Sequence, residues 1–481
     1  MNHSGDSSAS VSRFLEVVKE ALAAHPGGQG NLAIARCPGA ADVMGGIVED
    51  SGALVVTSTI ALAITAAVWP LPDDHVRTRL LLAAGNAQGP TPDFVLPAAA
   101  FDPAAGSAAA LLSRCRASGA EWAAPTCLSV RQAIADGMIP RPSGGLMILL
   151  QTDFPPEADL GKRWVQAAVT IDGLCRSFGA QANPLAKSRA CAEAVAPITG
   201  LYNLRTPMTA LCGPPDGALL QLRFYPQVLC QALELPPGIA VTVADVRLRR
   251  PTSPQRLIDT YLCAEMGRRL ITELQQIDGA RVDAAGGKLA AITPAEYVDR
   301  YRNRLPQKIT GRAFTARFGT MRGLNGEPDP QQVYKVRSRT EHHIYENRRV
   351  HEFATDIARA RRTNSLDALT HAGELMYASH WSHSQRCGIG GVEADTLVTA
   401  IRRHGPVAGL FGAKVTAGGV GGELVVLMRD DRQARDALAD AIALTEAATQ
   451  QPVRVCRGPM PGAEYFQPPA LDALLTPAGI A

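Results

Sequence analysis

Three observations predict an α+β protein of two domains. Strand-like apolar runs and 3.6-residue helical periodicities are interleaved along the whole chain, its 481 residues exceed what a single core usually holds, and there is no internal repeat. At 46% hydrophobic and 19% charged residues, the chain has ample material for buried cores.

The elements follow in order. Serines within 8–12 can cap a first helix with Phe14, Leu15, Val18, Ala21 and Leu22 on one face, stopped by Pro26-Gly27-Gly28. Residues 32–36 read as a short strand, followed by a loop at Cys37-Pro38-Gly39 and a second strand over 54–60. The longer apolar run 54–69 carries Thr57, Ser58, Thr59 and Thr65 and is short for a bilayer, so it reads as a buried strand. The Pro/Gly/Ala-rich stretch 85–106 predicts an irregular surface excursion. A strand is expected over 145–151, and then a helix with Trp164, Ala167, Ala168, Ile171 and Leu174 on its inner face. Beyond about residue 240 the texture changes, with helices expected at 260–277, 345–360 and 366–384, a strand at 422–428 and an Ala-rich helix at 431–449. The expected division is a tail and first helix at 1–30, an N-terminal domain at 31–240 and a C-terminal domain at 241–481.

Charge and cysteine content exclude several classes of function. With 48 Lys+Arg against 45 Asp+Glu, a net charge of +3 gives no electrostatic footprint for nucleic acid. The ten cysteines are scattered, with no CxxC and no Cys/His cluster at zinc-finger spacing, which predicts reduced, half-buried thiols. Residues 1–10 lack the basic-then-apolar order of a signal peptide, so a cytoplasmic location without membrane contact is expected. His380, His383 and Cys387 are near one another, but no carboxylate completes a tetrahedral set and no metal is expected.

Three stretches carry a family likeness. The first is Ala35-Arg36-Cys37-Pro38-Gly39-Ala40-Ala41-Asp42-Val43-Met44-Gly45-Gly46-Ile47-Val48-Glu49-Asp50-Ser51-Gly52. The second joins His343-Ile344-Tyr345-Glu346-Asn347 to Ala372-Gly373-Glu374-Leu375-Met376-Tyr377, His380, Ser382, Ser384 and Cys387-Gly388-Ile389-Gly390. The third is Gly412-Ala413-Lys414-Val415-Thr416-Ala417-Gly418-Gly419-Val420-Gly421-Gly422. Taken singly, a glycine run before a strand is a turn and a carboxylate on a helix is surface. In this order and spacing the sequence resembles the GHMP sugar kinases, in their galactokinase and plant-type arabinokinase branch, over nearly the whole chain. The resemblance implies two α+β domains with a cleft between them, formed by residues 38–52, 155–165, 200–213 and 412–422. It also implies a sugar against the first motif and ATP with Mg along a Gly/Ser loop at a helix N-terminus. In that branch an Arg and an Asp serve the hydroxyl being phosphorylated.

The chain departs from this pattern where the chemistry is concentrated. The family's phosphate loop aligns with 155–164, where two glycines have become Glu157 and Asp159 and the serines have become Gly161, Lys162 and Arg163. Carboxylates in a backbone cradle repel a triphosphate. The family Arg is Ala40, and its catalytic Asp is Thr206, whose hydroxyl is no base near neutral pH. Of a third polar motif only Asp245 survives. On the sugar side Asp42, Gly45, Gly46 and a carboxylate at Glu49 or Asp50 remain, as do the third-motif glycines Gly418, Gly419, Gly421 and Gly422.

Three functional readings stay open on the sequence. One is a degenerate kinase of carbohydrate metabolism that keeps a sugar- or metabolite-binding cleft, with a protein partner or a second copy as its further contacts. Another is an active ATP-dependent sugar 1-kinase with Lys162, Arg163, Arg205 or Asp245 as substitute groups, the only reading that requires ATP and Mg. The third is a non-kinase enzyme reusing the cleft.

Overall fold

The computed structural model describes residues 7–26, 31–82, 93–141, 144–155, 161–279, 287–321, 326–416 and 422–468. The chain forms two compact units, neither continuous in sequence. The first comprises 1–40, 59–215 and 460–481, and the second 41–58 and 216–459. A single cut near residue 240 does not reproduce this division. The hydrogen bonds of the first motif, described below, bind 41–58 to helices that come 200 to 300 residues later.

The first unit is built on α1 (Ser7–Ala24), the strands β1 (Ala33–Met44) and β2 (Val55–Leu71), both of which continue into the second unit, and β3 (His75–Leu82), β4 (Phe94–Pro97) and β5 (Gly145–Thr152). The strand order is β4-β3-β5-β2, with β1 on β2. The β3–β5 pair is parallel and the β2–β5 pair antiparallel, from Ile64 opposite Thr152 to Leu71 opposite Gly145. Every residue of β5 is buried, which is why its sequence is a continuous apolar run rather than an alternating one. On one face Phe14, Val18, Ala21 and Leu22 of α1 pack on Ala67, Trp69, Leu71, Met147 and Leu149. Helices α2 (Ala108–Ala117), α3 (Ala124–Ala135), α4 (Lys162–Ser177), α5 (Pro184–Thr199) and α6 (Arg205–Cys212) complete the unit. Asn183 caps α5 by accepting from the Ala186 amide, with Pro184 in the first turn.

Two local expectations are corrected here. Cys37-Pro38-Gly39 is not a loop but the middle of β1, and all three residues are buried. A Cβ on Gly39 would lie 2.7 Å from Cγ1 of Ile60, so the turn-forming residue serves close packing instead. Within 85–106, residues 94–97 form β4 against His75–Thr78, and residues 83–92 lie outside the described chain.

The second unit contains β6 (Leu219–Arg223) and β7 (Leu229–Leu233), an antiparallel pair that continues onto Val55–Thr57. Its main sheet is antiparallel in the order β11-β12-β8-β13, from β8 (Ile239–Val246), β11 (Leu410–Val415), β12 (Glu423–Arg429) and β13 (Val453–Arg457). Between them come α7 (Pro254–Ile277), the single turn α8 (Pro294–Glu296), the two-residue strands β9 (Ile309–Thr310) and β10 (Val333–Tyr334), and α9 (Gly311–Phe318). The long helices α10 (Val336–Thr363) and α11 (Leu366–Ser382), then α12 (Val392–His404) and α13 (Arg432–Thr449), finish the unit. Leu397, Ile401, Leu438 and Ala441 cover Val246, Leu410, Val426 and Met428 of the sheet. Helix α13 starts where Asp431 accepts from the Ala434 amide. No helix among the described residues is long and apolar enough to cross a membrane.

Candidate functional site

In the first unit the residues aligned with the phosphate loop and the catalytic Asp meet. Gly161 has φ +70° and opens α4, and a Cβ there would lie 2.7 Å from Cγ2 of Thr206. Both the dihedral and the contact require glycine. Lys162 is half-buried and Arg163 exposed in the first turn of α4, where the helix dipole favours an anion. This first turn fits a phosphate-bearing ligand by charge. Pro156, Glu157, Ala158, Asp159 and Leu160 lie outside the described residues.

The residue that faces Gly161 across that helix end is uncharged. Thr206 is buried, its hydroxyl accepts from Asn203 Nδ2 at 2.9 Å, and its amide donates to Asn203 Oδ1 at 3.1 Å. This reciprocal pair fixes the start of α6 without any titratable group. Arg205, the next residue back, is buried. Ala40 lies at the end of this unit's share of β1, half-buried and without a charge. Beside it in sequence, Arg36 makes a 3.5 Å ion pair with Asp153 at the end of β5, and burial lowers its pKa.

In the second unit the rest of the first motif forms a tightly held segment. Residues 41–49 are buried throughout. Gly45 and Gly46 have φ of +93° and +60°, and a Cβ on Gly45 would lie 2.8 Å from Cγ1 of Val55. The Gly45 amide donates to Glu346 Oε1 at 3.3 Å, and Ser51 Oγ lies 2.7 Å from His343 Nδ1. Tyr261 donates its hydroxyl to Glu49 Oε1 at 3.2 Å, and Lys288 donates to the Asp50 carbonyl at 3.0 Å. Glu49 is therefore a buried, anchored carboxylate, whereas the Asp50 side chain is half-exposed. Asp42 is buried.

Behind this segment lies a polar core that the sequence did not single out as a site. Glu346 is fully buried and accepts from Arg349 at 2.7 Å and from Ser379. Burial alone would raise its pKa, but Arg349, His383, Lys414 and the Ser379 hydroxyl hold it below the usual carboxylate range. His342, His343 and His383 are fully buried beside it, and burial first, then neighbouring positive charge, pushes His343 down to about 3 and His383 to about 4. His342 lies well below its ordinary value for the same reason. The signal that could have exposed this core is the spacing of His343, Glu346 and Asn347 at i, i+3 and i+4, which puts them on one helix face.

The remaining sequence candidates are distributed as follows. Asp245 sits within β8 opposite Glu423 and Arg454. Of the third-motif glycines, Gly418, Gly419 and Gly421 lie outside the described residues. A Cβ on Gly422 would strike the Val246 carbonyl, the close backbone approach expected there. Lys414 is buried and donates to the Val415 carbonyl at 2.8 Å. His380 accepts from the Val415 amide at 3.2 Å and its Nε2 lies 3.1 Å from Asp395, while His383 Nδ1 lies 2.9 Å from the Ser379 carbonyl. Among the described residues no group of three His, Cys, Asp or Glu is placed to hold a metal.

No family model matches the chain. L-arabinokinase of Arabidopsis thaliana is 24% identical to it over 484 residues, which take in 90% of this chain and 46% of that protein. The chain thus spans about half the length of the curated relative it matches. Galactokinase of Lactococcus lactis, solved in complex with galactose, superposes with a TM-score of 0.68 at 16% identity, covering 93% of this chain and 99% of that one. Mevalonate kinase of Methanococcus jannaschii gives 0.51 at 12% identity, covering 88% and 97%. The architecture is the two-domain α+β fold of the GHMP kinases. In sequence the chain is similar to an arabinokinase, and in fold to a galactokinase.

Proposed function

We propose that this protein binds a sugar or closely related metabolite on the first-motif segment and has lost efficient phosphoryl transfer, acting as a binding or regulatory member of a sugar-kinase branch. The observation that carries the reading is Thr206. At the position of the family carboxylate stands a buried hydroxyl bonded to Asn203 and pressed against Gly161, the residue that opens α4. A threonine hydroxyl at that position is no base for an acceptor hydroxyl near neutral pH. Ala40 removes the charge that would steady the transferring group. The galactose in the Lactococcus galactokinase structure supports a sugar as the ligand class. Asp42, Asp50 and the backbone of 45–52 are the groups assigned to it here, and a cytoplasmic setting belongs to the same proposal.

A second reading has one observation in its favour. Lys162 and Arg163 place two cations in the first turn of α4, where a nucleotide's phosphates would find the dipole and both side chains. On that reading the protein is an ATP-dependent sugar 1-kinase using Mg, with a reassigned base.

Calorimetry separates the two. The protein is titrated with ATP-Mg alone and with galactose, arabinose and uronic acids, each with and without ATP-Mg. Sugar binding with weak or no nucleotide binding supports the first reading. Binding of both ligands, with sugar-dependent ADP release, replaces it by the second.

A further inference from the structure

Three contacts to the first-motif segment come from one face of α10. His343 meets Ser51, Glu346 takes the Gly45 amide, and Asn347 Oδ1 accepts from the Leu54 amide at 3.3 Å. They touch the beginning, the middle and the end of the segment, from side chains at i, i+3 and i+4. We propose that His343, Glu346 and Asn347 are the positioning residues of the 45–54 segment, with Glu346 as their hub, so that α10 rather than the segment's own sequence sets its competence for ligand. The inference rests on the reading of this segment as the sugar site.

The chemistry of the three side chains fits a fixed template. Glu346 is wholly buried and cannot reach a ligand, yet its carboxylate receives three donors, from Gly45, Arg349 and Ser379. A carboxylate so saturated has one orientation and a compensated charge. The Asn347 amide is oriented from its other end, where Nδ2 donates to the Ala290 carbonyl at 3.0 Å. Burial keeps the His343 ring neutral, so its Nδ1 shares a proton with Ser51 without bringing a second charge to the segment. Tyr261 and Lys288 hold the outer turn at Glu49 and Asp50 from other elements. Preorganisation of this kind raises affinity by removing the ordering cost of the segment on binding.

The test uses the full chain and three variants, Asn347→Ala, Asn347→Asp and Glu346→Gln, read by amide hydrogen exchange. Asn347 is half-buried, so its variants leave the core of α10 intact. Asn347→Ala is expected to speed exchange at the Leu54 amide by about 3- to 10-fold, the loss of one hydrogen bond. Asn347→Asp keeps the acceptor for Leu54 but loses the donor to the Ala290 carbonyl, so it restores protection only in part. Glu346→Gln is expected to speed exchange at Gly45, with the β11-β12-β8-β13 sheet unchanged. In parallel, the dissociation constant for galactose or arabinose rises with loop exchange at unchanged stoichiometry. Unchanged exchange over 45–54 in Asn347→Ala overturns the proposal, and this variant decides it even if Glu346→Gln does not fold. If no sugar binds the parent, the sugar reading fails while the exchange data still decide the positioning role.

Discussion

Gly161 and Thr206 meet through a single methyl group, which makes their coupling measurable. An L-residue in the left-handed region costs about 1–2 kcal/mol, and Gly161→Ala adds a Cβ against Cγ2 of Thr206 at 2.7 Å. Thr206→Ser deletes that methyl and keeps the hydroxyl bonded to Asn203. Urea unfolding of the two single variants and the double variant should show the double variant less destabilised than the sum. Strict additivity would mean that the two side chains do not meet. Ala40→Arg with Thr206→Asp is expected not to create a competent kinase. A base is worth roughly 10²–10⁴ in rate and a charge-stabilising donor about 10²–10³. Both act only on a phosphoryl group already held in line, and that positioning accounts for about 7–11 kcal/mol. The sequence Glu157 to Arg163 gives no means of supplying it, so ADP release should require a rebuilt Gly/Ser loop as well. Turnover by the double variant alone would show that the loop matters less than this.

At the scale of elements, two buried polar clusters hold helices together and answer differently to pH and mutation. Around α10 and α11, His342, His343 and His383 are neutral when folded, with His343 at about 3 and His383 at about 4. In the unfolded chain histidine titrates near 6.5. Below about pH 6.5 the unfolded state therefore takes up protons that the folded state refuses, and stability is lost progressively as pH falls towards 4. Glu346, held below its ordinary value, adds to the loss only once pH falls below about 4.5. Urea midpoints should drop from pH 7.5 to pH 5.0, and a flat profile would contradict neutral burial of the three rings. In the first unit, Asp172 is fully buried between Lys187 at 2.8 Å and Arg176 at 2.7 Å, joining α4 to α5. Asp172→Asn removes the buried charge shared by both cations and leaves Lys187 with Glu464 alone, and should cost about 3 kcal/mol. Glu464 also contacts Lys187, at 2.9 Å, but its side chain is 38% exposed, and Glu464→Gln should cost under about 1 kcal/mol. Equal losses for the two variants, read by denaturant unfolding, would place the strength of the cluster elsewhere.

For the molecule as a whole, the ligand profile is the discriminating property. A ligand at 100 times its dissociation constant stabilises a protein by about 2.7 kcal/mol, which shifts a melting curve measurably. The proposed function predicts a shift with a sugar of the tested panel and none with sub-millimolar ATP-Mg. A clear shift with ATP-Mg would favour the kinase reading and direct attention to Lys162 and Arg163.

Much of the fold is legible in the sequence because local periodicity and punctuation carry it. The apolar runs at 54–69 and 145–151, the amphipathic pattern from Trp164 to Leu174 and the Ala-rich stretch after Asp431 all form the expected strands and helices. The proposal of lost phosphoryl transfer likewise starts from residue chemistry, since neither Ala40 nor Thr206 carries the charge of an Arg or an Asp. Tertiary structure decides the rest. Pro38-Gly39 has the composition of a turn, yet it lies within a buried strand because Ile60 packs where a Cβ would otherwise sit. Glu49 and Asp50 are equal candidates in sequence, and burial with the Tyr261 hydroxyl marks Glu49 as the anchored carboxylate while Asp50 stays half-exposed. Glu346 sits 301 residues from Gly45, a separation over which no periodicity reports. Which buried donor a carboxylate receives is fixed by how helices and loops pack, and a linear pattern holds the residue types but not their partners.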